Sequence, residues 1–250
     1  MDSDLHLSGR RVIVTGAASG IGLATVRALA AAGAKLAIID WDREALDEIV
    51  RELREAGHEP LDYQIDVADE RTIEETFASI AEAWSGVDTL IHVAGIMREQ
   101  MTDIRDIELS SWQKVISVNL TGAFLVTRAV SRTMIPQGAG TIILIGSPAG
   151  VTAGSGSIPY GASKGGVNGL ALTMQRHLQP HGIRVHNFCP GSVNTPLYNN
   201  SLSEGERNGA STAITEAARA ASVSSDGVGQ AIALLASPLA EYLQGSIFSR

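Results

Sequence analysis

Three side chains suited to proton transfer stand close together along the chain: Ser147, Tyr160 and Lys164. Tyr160 and Lys164 are four residues apart in a helical pattern, so both lie on one face of the predicted helix. A phenol has a pKa of about 10 in a peptide, and a nearby ammonium favours the phenolate and lowers that value. Ser147 ends an apolar strand and could hydrogen-bond the same substrate oxygen. The three residues therefore predict transfer of a hydroxyl proton near neutral pH.

A glycine-rich segment between a β-branched run and a helical pattern has the composition of a phosphate-binding turn. It reads Thr15-Gly16-Ala17-Ala18-Ser19-Gly20-Ile21-Gly22. Glycines allow a tight turn and a close backbone approach, and the helix N-terminus offers free N–H groups and the positive end of its dipole. A plain turn is the alternative, but the strand before and the helix after favour binding of a dinucleotide diphosphate.

Asp40 ends the next predicted strand, 24 residues after Gly16. A carboxylate at that place can accept hydrogen bonds from both hydroxyls of an adenosine ribose, and it would repel a 2′-phosphate. Ala17 and Ala18 supply no cation for such a phosphate, and we expect Arg43 to lie on the exposed face of the following helix. An ordinary solvated acid is the alternative. The pattern favours NAD over NADP as the cofactor.

Further short motifs make the chain resemble a classical short-chain dehydrogenase/reductase over nearly its full length. The matching residues are Thr15-Gly16-x-x-x-Gly20-x-Gly22, Asp66-Val67, Ala94-Gly95, Asn119, Ser147, Tyr160-x-x-x-Lys164 and Pro190-Gly191-x-Val193-x-Thr195-Pro196. The interval of 13 residues between Ser147 and Tyr160 is also the usual one in that family.

The resemblance implies a role for each matching residue. Tyr160 would be the general acid/base, Lys164 would hold the nicotinamide ribose and tune the tyrosine, and Ser147 would orient the substrate oxygen. Asn119 would help to organise a proton-relay water beside Lys164. Contacts with the cofactor are implied for the glycine-rich turn, the ribose acid and the proton-transfer pair: Gly16, Ser19, Gly20, Ile21, Gly22, Asp40, Tyr160 and Lys164. Asp66 and Val67 would contact the adenine, and the backbone of Ala94 and Gly95 would approach the cofactor. Contacts are also implied for Pro190, Gly191, Val193 and Thr195, of which the last two would fix the carboxamide.

Three departures from the family pattern carry expectations of their own. His92-Val93 stands where the family has two asparagines, which implies loss of their side-chain support. Pro148 follows Ser147, and we expect it to stiffen the loop beside the substrate. The sequence after Gly245 is shorter than is usual, which implies a curtailed last strand and altered oligomer contacts.

Strand and helix patterns alternate along the whole chain. Strands are predicted at 11–15, 35–40, 61–65, 89–93, 141–145 and 183–188 with a short one at the end, and helices at 21–32, 43–56, 70–84, 110–134, 160–178 and 228–236. Such alternation predicts a Rossmann-type, doubly wound parallel sheet with helices on both faces, in a single α/β domain spanning 1–250. The segment 197–225 lacks bulky apolar residues, and we expect it to form a small mobile helical lid over the substrate.

Composition excludes several classes of function. The 250 residues carry a net charge of −8 and only 4% aromatic residues, which disfavours binding of nucleic acid or of an anionic membrane. No apolar run approaches the roughly 18 residues of a membrane-spanning helix. The N-terminus lacks the pattern of a secretory signal, and the single Cys189 rules out an intrachain disulfide. We expect a cytoplasmic protein.

The preferred interpretation is an NAD-dependent oxidoreductase that interconverts a secondary alcohol and a ketone on a small organic substrate. An NADP-dependent 3-oxoacyl-thioester reductase is one alternative, although such enzymes usually carry basic residues near the glycine-rich turn. A dinucleotide-binding regulator without turnover is another, although it would be free to lose Ser147, Tyr160, Lys164 or Asn119.

Several other residues admit a chemical and a structural interpretation. His177 and His181 have the spacing of a zinc pair, but Pro180 and Gly182 indicate a helix end, so we expect no metal site. Arg98 could meet an acidic substrate, although a solvated loop arginine is more common. Cys189 is expected to be a small buried group.

Assembly is predicted from the family resemblance and from small residues on the helix at 160–178. The resemblance implies that this helix and the one at 110–134 pair with their copies in a symmetric dimer. The resemblance also implies a tetramer, which would need a second interface, commonly near the last strand and helix. The small residues are Ala162, Gly165, Gly166, Gly169 and Ala171.

Overall fold

A parallel sheet of seven strands organises the computed structural model, which describes residues 5–249. The strands are β1 Arg11–Thr15, β2 Lys35–Asp40, β3 Leu61–Gln64, β4 Thr89–His92, β5 Gly140–Ile145, β6 Ile183–Cys189 and β7 Gly245–Phe248. Their order in the sheet is β3-β2-β1-β4-β5-β6-β7. This arrangement confirms the predicted Rossmann-type, doubly wound sheet.

Helices cover both faces of the sheet. They are α1 Gly20–Ala31, α2 Arg43–Glu55, α3 Glu70–Trp84, α4 Leu109–Ile116, α5 Gly122–Gln137, α6 Ile158–Leu178, α7 Pro196–Arg207, α8 Thr212–Ala221 and α9 Ser225–Ala236. Short 3-10 turns lie at Ile104–Asp106, Gln179–His181 and Pro238–Ala240. Within residues 5–249, none of the helices combines the length and apolar character that a bilayer crossing requires.

Two separate cores form because successive strand residues point to opposite faces. On β1, Val12 and Val14 pack with residues of α1, α2 and α9, whereas Ile13 packs with residues of α3, α5 and α6. All three side chains are completely buried. Burial on both faces explains why the strand is a continuous apolar run without alternation.

The predicted single helix at 110–134 is interrupted in the structure. A π-helical turn, Ser117–Thr121, separates α4 from α5, and α5 continues to Gln137 with Pro136 inside its last turn. The side chain of Asn119, in the π turn, hydrogen-bonds the backbone of Ile96 on another segment of the chain. Such turns are frequent at functional sites, and sequence periodicity alone gave no sign of this one.

The C-terminal elements differ in part from expectation. The curtailed last strand is nevertheless a full member of the sheet, since β7 pairs in parallel with β6 from Gly245 to Phe248. The predicted lid, 197–225, contains α7 and α8.

Two of the small residues of α6, Gly165 and Gly166, pack against other segments of this chain, whereas Ala162 and Gly169 are exposed. A side chain at Gly165 would meet the carbonyl oxygen of Gly150 at 3.0 Å, and one at Gly166 would meet Leu120 at 2.7 Å. Only Gly169 of the three glycines has open space beside it. Packing within the chain thus already requires the small size of Gly165 and Gly166, and the expectation that the small residues of α6 permit approach by a second copy stays a prediction.

Candidate active site

A cleft of about 1050 Å³ lies at the carboxyl edge of the sheet, where the chain leaves β1, β4, β5 and β6. The strand order reverses there, because β1 connects outward to β2 on one side and has β4 on the other. Ligands of doubly wound sheets bind at this reversal. Small-molecule pockets have volumes of roughly 300–1,000 Å³, so this cleft lies at the upper end of that range.

The glycine-rich turn has no room for side chains at two of its glycines. Gly16 has a φ of +67°, and a Cβ there would lie 2.6 Å from the backbone nitrogen of Ala94. A Cβ on Gly22 would lie 1.8 Å from the carbonyl oxygen of Gly16. Ser19, the N-cap of α1, makes no side-chain capping bond. The turn therefore presents bare backbone and a helix N-terminus, which fits a diphosphate.

Asp40 is held in place by two backbone donors. Its Oδ2 accepts the Ala18 N–H at 2.9 Å, and its Oδ1 accepts the Asp42 N–H at 3.1 Å. The residue is only 7% exposed, yet it lines the cleft. Arg43 begins α2 and forms ion pairs with Asp47 and Asp62, in agreement with its predicted place outside the turn. Asp40 therefore presents a fixed carboxylate to the cleft, while the guanidinium of Arg43 is already paired with Asp47 and Asp62.

The end of the cleft at Asp40, which we call the adenosine end after the ribose contact expected there, contains residues that sequence reasoning missed. Trp41 is 74% exposed beside Asp40, and the Gln64 side chain donates to the Trp41 carbonyl at 3.1 Å. Asp66 lines the cleft as predicted, with its Oδ1 accepting the Ala68 N–H and its Oδ2 paired with Lys114 at 3.2 Å. An exposed indole next to a strand-end acid was the signal that could have identified Trp41.

Tyr160 lies in the first turn of α6, which begins where Ser157 accepts the Tyr160 N–H at 3.2 Å. Its side chain lines the cleft together with Ser147, which follows β5. Burial raises the pKa of Tyr160 to about 12, and a hydrogen bond from the Ser147 hydroxyl acts in the opposite direction. The expected lowering of the Tyr160 pKa by Lys164 is not found.

The position of Lys164 explains that difference. Its Nζ donates to the carbonyl oxygen of Ile145 at 2.7 Å and lies 5.6 Å from the centroid of the Tyr160 ring. Burial lowers the pKa of Lys164 to about 8. Both groups are therefore held toward their neutral forms, because a buried charge lacks the solvation of water.

Asn119 is a positioning residue with its side chain fully engaged. Its Oδ1 accepts the Ile96 N–H at 2.8 Å, while its Nδ2 donates to the Ile96 carbonyl and to the Ser163 hydroxyl, both at 2.9 Å. A Cβ on Gly95 would lie 3.3 Å from the Asn119 Oδ1 and 3.6 Å from the Lys164 Nζ. Asn119 thus ties the segment after β4 to α6, directly behind the cleft.

His92, which stands where the family pattern has an asparagine, makes a side-chain hydrogen bond of its own. Its Nδ1 lies 2.7 Å from the Thr15 hydroxyl, so a hydrogen bond joins the ends of β4 and β1. The Nε2 has no partner among the described residues. Burial, followed by the charge of Lys164, lowers the pKa of His92 to about 3, which keeps the ring neutral. This hydrogen bond is a side-chain contact of a different kind at this position, and the loss of support from two asparagines stays a prediction.

The segment after β6 closes the other wall of the cleft. Two hydrogen bonds join it to Val223, from the Asn194 N–H to the Val223 carbonyl and from the Val223 N–H to the Ser192 carbonyl, both at 2.9 Å. Thr195 caps α7 and approaches the glycine-rich turn, since a Cβ on Gly20 would lie 3.1 Å from its methyl group.

The structure brings nearly every predicted site residue into one cleft. Gly22 and Asn119 stand behind its wall, and the others line it: Gly16, Ser19, Gly20, Ile21, Asp40, Asp66, Val67, Ala94, Gly95, Ser147, Tyr160, Lys164, Pro190, Gly191, Val193 and Thr195. Met97 and Gln100 also line the cleft, and sequence reasoning assigned them no role. Ser201 and Leu202 line it as well and were named only as part of the expected lid, 197–225.

The residues with alternative interpretations are also placed. Cys189 is buried and free, and burial raises the pKa of its thiol. His177 lies in the last turn of α6 and His181 in the 3-10 turn after it. Within residues 5–249, no group of three or more His, Cys, Asp or Glu side chains could hold a metal ion.

Known proteins share this sequence pattern and this fold. The family described as short chain dehydrogenase matches residues 10–206. The 3-oxoacyl-acyl-carrier-protein reductase FabG of Thermotoga maritima is 33% identical, with 97% of this chain and 96% of that protein covered. The cis-4-hydroxycyclohexanecarboxylate dehydrogenase of Sinomonas cyclohexanicum is 35% identical, with coverage of 96% and 94%. The crystal structure of levodione reductase superimposes with a TM-score of 0.89 at 28% identity, with coverage of 97% and 96%.

Proposed function

The chain belongs to the short-chain dehydrogenase family of oxidoreductases, and we propose that it interconverts a secondary alcohol and a ketone on a small organic substrate with NAD as the cofactor. The observation that carries the proposal is a single cleft with Asp40 at one end and the group Ser147, Tyr160 and Lys164 at the other. The first suits an adenosine ribose, and the second suits a substrate hydroxyl.

NAD is favoured over NADP by the surroundings of Asp40. Its oxygens already accept two backbone hydrogen bonds, so the carboxylate cannot turn away to admit a 2′-phosphate. Arg43, the nearest cation in sequence, is committed to Asp47 and Asp62. A phosphate dianion would therefore meet a fixed negative charge, which costs free energy.

In this mechanism Tyr160 takes the proton of the substrate hydroxyl during oxidation and returns it during reduction. Bound NAD supplies the hydride acceptor. Ser147 donates a hydrogen bond at the same oxygen, and Lys164 holds the cofactor ribose beside the phenol. The side chain of Asn119 is engaged with Ile96 and Ser163, so we assign the proton-relay contact to its backbone carbonyl in the π turn.

The raised pKa of Tyr160 sets the expected pH dependence. Oxidation needs the phenolate, whereas reduction needs the phenol. With a pKa of about 12 before the cofactor binds, the phenol dominates at neutral pH. We therefore expect oxidation to accelerate as the pH rises and reduction to be efficient near neutrality.

The lid segment, 197–225, covers the substrate side through α7, and we propose that it moves to admit substrate. Tyr198 and Leu202 on α7 line the cleft opposite the loop that contains Pro148. Two of the similar proteins, by their names, act on a hydroxylated cyclohexane ring and on levodione. Cyclic secondary alcohols are therefore the first substrates to test.

An NADP-dependent 3-oxoacyl-thioester reductase is the second candidate, favoured by the similarity to the Thermotoga maritima enzyme. Asp40 argues against it, since the ribose acid opposes NADP. A regulator without turnover is less well supported, because Asn119, Ser147, Tyr160 and Lys164 are all present in one active-site arrangement.

We propose a homo-oligomer, a dimer through α5 and α6 or a tetramer with a second interface near β7. Exposed apolar side chains on these helices, Phe124 and Leu172, support the first interface. Light scattering on a sizing column distinguishes the states. The single buried Cys189 suits a reducing cytoplasm, where we propose that the enzyme works.

The test measures the purified protein with cyclohexanol, 4-hydroxycyclohexanecarboxylate and a 3-hydroxyacyl thioester, each with NAD⁺ and with NADP⁺. We expect reduced cofactor to form with a cyclic alcohol, with kcat/KM higher for NAD⁺ than for NADP⁺ and unchanged by a chelator. Preference for the thioester with NADP⁺ would select the second candidate. Reduced cofactor from none of the three would contradict both enzymes.

A further inference from the structure

Arg98 is a cation on the substrate side of the cleft that the mechanism above does not use. The cleft's other charged lining residues among those described have assigned places: Asp40, Asp66 and Lys114 at the adenosine end, and Lys164 at Ile145. Arg98 follows β4 by a few residues and lines the cleft near the start of α6 and the lid helix α7.

Two contacts fix the backbone around Arg98 against the segment that begins α6. The Ser157 hydroxyl donates to the Arg98 carbonyl and accepts the Tyr160 N–H, so one side chain joins Arg98 to the turn that contains Tyr160. The Met101 N–H donates to the Gly156 carbonyl at 2.8 Å. The backbone of Arg98 therefore has a defined place relative to Tyr160, and its side chain is exposed at the cleft.

The residues beside Arg98 adopt an uncommon backbone conformation. Glu99 has a φ of +61° and Met101 a φ of +60°, both in the left-handed region that favours glycine. Each costs on the order of 1 kcal/mol, and such strain is concentrated at binding sites. The Glu99 N–H also donates to Glu204 on α7 at 3.1 Å, which links this loop to the lid.

The guanidinium of Arg98 makes no hydrogen bond or ion pair within residues 5–249. Arg11 pairs with Asp88 and Arg128 with Glu70 and Glu74, whereas Arg51, Arg176 and Arg207 form no ion pair within residues 5–249 and do not line the cleft. A cation without a protein partner at a concave surface is available to an anionic ligand, and its attraction strengthens when the cleft excludes water.

We propose that Arg98 binds a carboxylate of the substrate, so that the substrate class is a secondary alcohol or ketone that carries a carboxylate; this rests on the proposed dehydrogenase function. A guanidinium pairs with one carboxylate through two parallel hydrogen bonds, which also fixes orientation. A single guanidinium balances one negative charge, which matches a carboxylate better than a phosphate dianion. The ion pair between Arg98 and the carboxylate orients the substrate so that its hydroxyl faces Tyr160 and Ser147.

The first test compares kcat/KM for 4-hydroxycyclohexanecarboxylate, its methyl ester and cyclohexanol with NAD⁺. We expect the unmodified protein to prefer the acid, and Arg98→Gln to lower kcat/KM for the acid about ten- to a hundredfold, mainly through KM. The values for the ester and cyclohexanol should stay within about twofold. For the acid, kcat/KM of Arg98→Lys should lie between the values of the unmodified protein and Arg98→Gln, because lysine keeps the charge but loses the planar pair of hydrogen bonds.

Arg105→Gln is the matched control, since Arg105 is exposed on the same connection and pairs with Asp103 outside the cleft. It should leave all three substrates unchanged. An equal loss for acid and ester in Arg98→Gln, or a preference of the unmodified protein for the ester, would overturn the carboxylate assignment while leaving the dehydrogenase intact.

A binding measurement separates failure of this assignment from failure of the proposed function. Cyclohexanecarboxylate has no hydroxyl to oxidise, so its binding to the protein saturated with NADH needs no turnover. We expect calorimetric titration to show binding to the unmodified protein and at least tenfold weaker binding to Arg98→Gln. Binding that is absent, or equal in both proteins, would contradict the role of Arg98 whatever the enzyme oxidises.

Discussion

The two ends of the cleft are built in different ways. At the adenosine end, short turns after β1 and β2 contribute backbone groups and one carboxylate. That carboxylate belongs to Asp40, and it accepts hydrogen bonds from the N–H groups of Ala18 and Asp42. At the substrate end, three segments distant in sequence meet: 97–101, 148–156 and the α7 region. The first end is fixed by the sheet itself, whereas the second depends on loops and a helix that pack on one another.

This difference separates what is common to the family from what is particular to this chain. A diphosphate and a ribose need similar backbone geometry in dinucleotide-binding enzymes of this fold, so we expect the adenosine end to permit little variation. The substrate end carries the choice of substrate, and here it holds Arg98, Met97 and Leu202. Substitutions at the two ends should therefore change different quantities.

The largest effect is expected at the proton-transfer group of the substrate end. Tyr160→Phe removes only the phenol oxygen, and we expect kcat to fall by about 10²–10⁴-fold with NAD binding retained. Cofactor binding is followed by tryptophan fluorescence, since Trp41 lies beside Asp40. Tyr242→Phe, at an exposed tyrosine, is the control and should keep full activity. Near-normal turnover in Tyr160→Phe would refute the mechanism.

A pair of glycine substitutions compares the two ends directly. An alanine Cβ at Gly22 would lie 1.8 Å from the Gly16 carbonyl, whereas one at Gly154 meets nothing within 4 Å. We expect Gly22→Ala to weaken NAD binding about a hundredfold or to unfold the turn, and Gly154→Ala to leave NAD affinity unchanged. Equal NAD affinities measured by fluorescence titration would show that the adenosine end tolerates displacement.

Asp40→Ser tests how the adenosine end selects between NAD and NADP. Loss of the carboxylate removes hydrogen bonds to the ribose and the repulsion of a 2′-phosphate, so the ratio of kcat/KM for NAD⁺ to that for NADP⁺ should fall about tenfold or more. Asp226→Ser, at an acid outside the cleft, should leave the ratio unchanged. An unmodified protein that is faster with NADP⁺ would contradict the role given to Asp40.

The smallest effect concerns stability and arises behind the cleft. The pKa of His92 is lowered to about 3, so below about pH 6.5 the unfolded chain binds a proton that the folded chain does not. This difference lowers the free energy of unfolding as the pH falls from about 6.5 toward 3, and the loss reaches about 2 kcal/mol at pH 5.

The measurement for His92 is urea unfolding at pH 7.5 and pH 5. His92→Asn should lose less stability between these values than the unmodified protein, because asparagine does not titrate. His177→Asn, at an exposed histidine, should behave like the unmodified protein. Identical losses in the two variants would show that His92 does not carry the acid sensitivity.

Sequence reasoning succeeded where spacing along the chain determines position. The turn at Gly16, the acid at Asp40 and the helix that holds Tyr160 and Lys164 each follow from residues a few positions apart, and the structure places them as predicted. The strand pattern was equally clear, because buried parallel strands are continuous apolar runs.

It failed where position depends on contacts between distant segments. The π turn is joined to Ile96 through Asn119, and the partner of His92 is Thr15, which depends on the register of β4 against β1. The direction of the Tyr160 pKa shift depends on burial, which the order of residues does not reveal.

Transfer of a labelled hydride is the decisive measurement of the proposed reaction. Cyclohexanol deuterated at the carbinol carbon, or its 4-carboxylate analogue, is incubated with the protein and NAD⁺, and the reduced cofactor is analysed by mass spectrometry. If the cleft joins an NAD site to an alcohol site as proposed, the NADH carries the deuterium. NADH without the label, or a failure of both alcohols to form NADH, would contradict the proposed reaction.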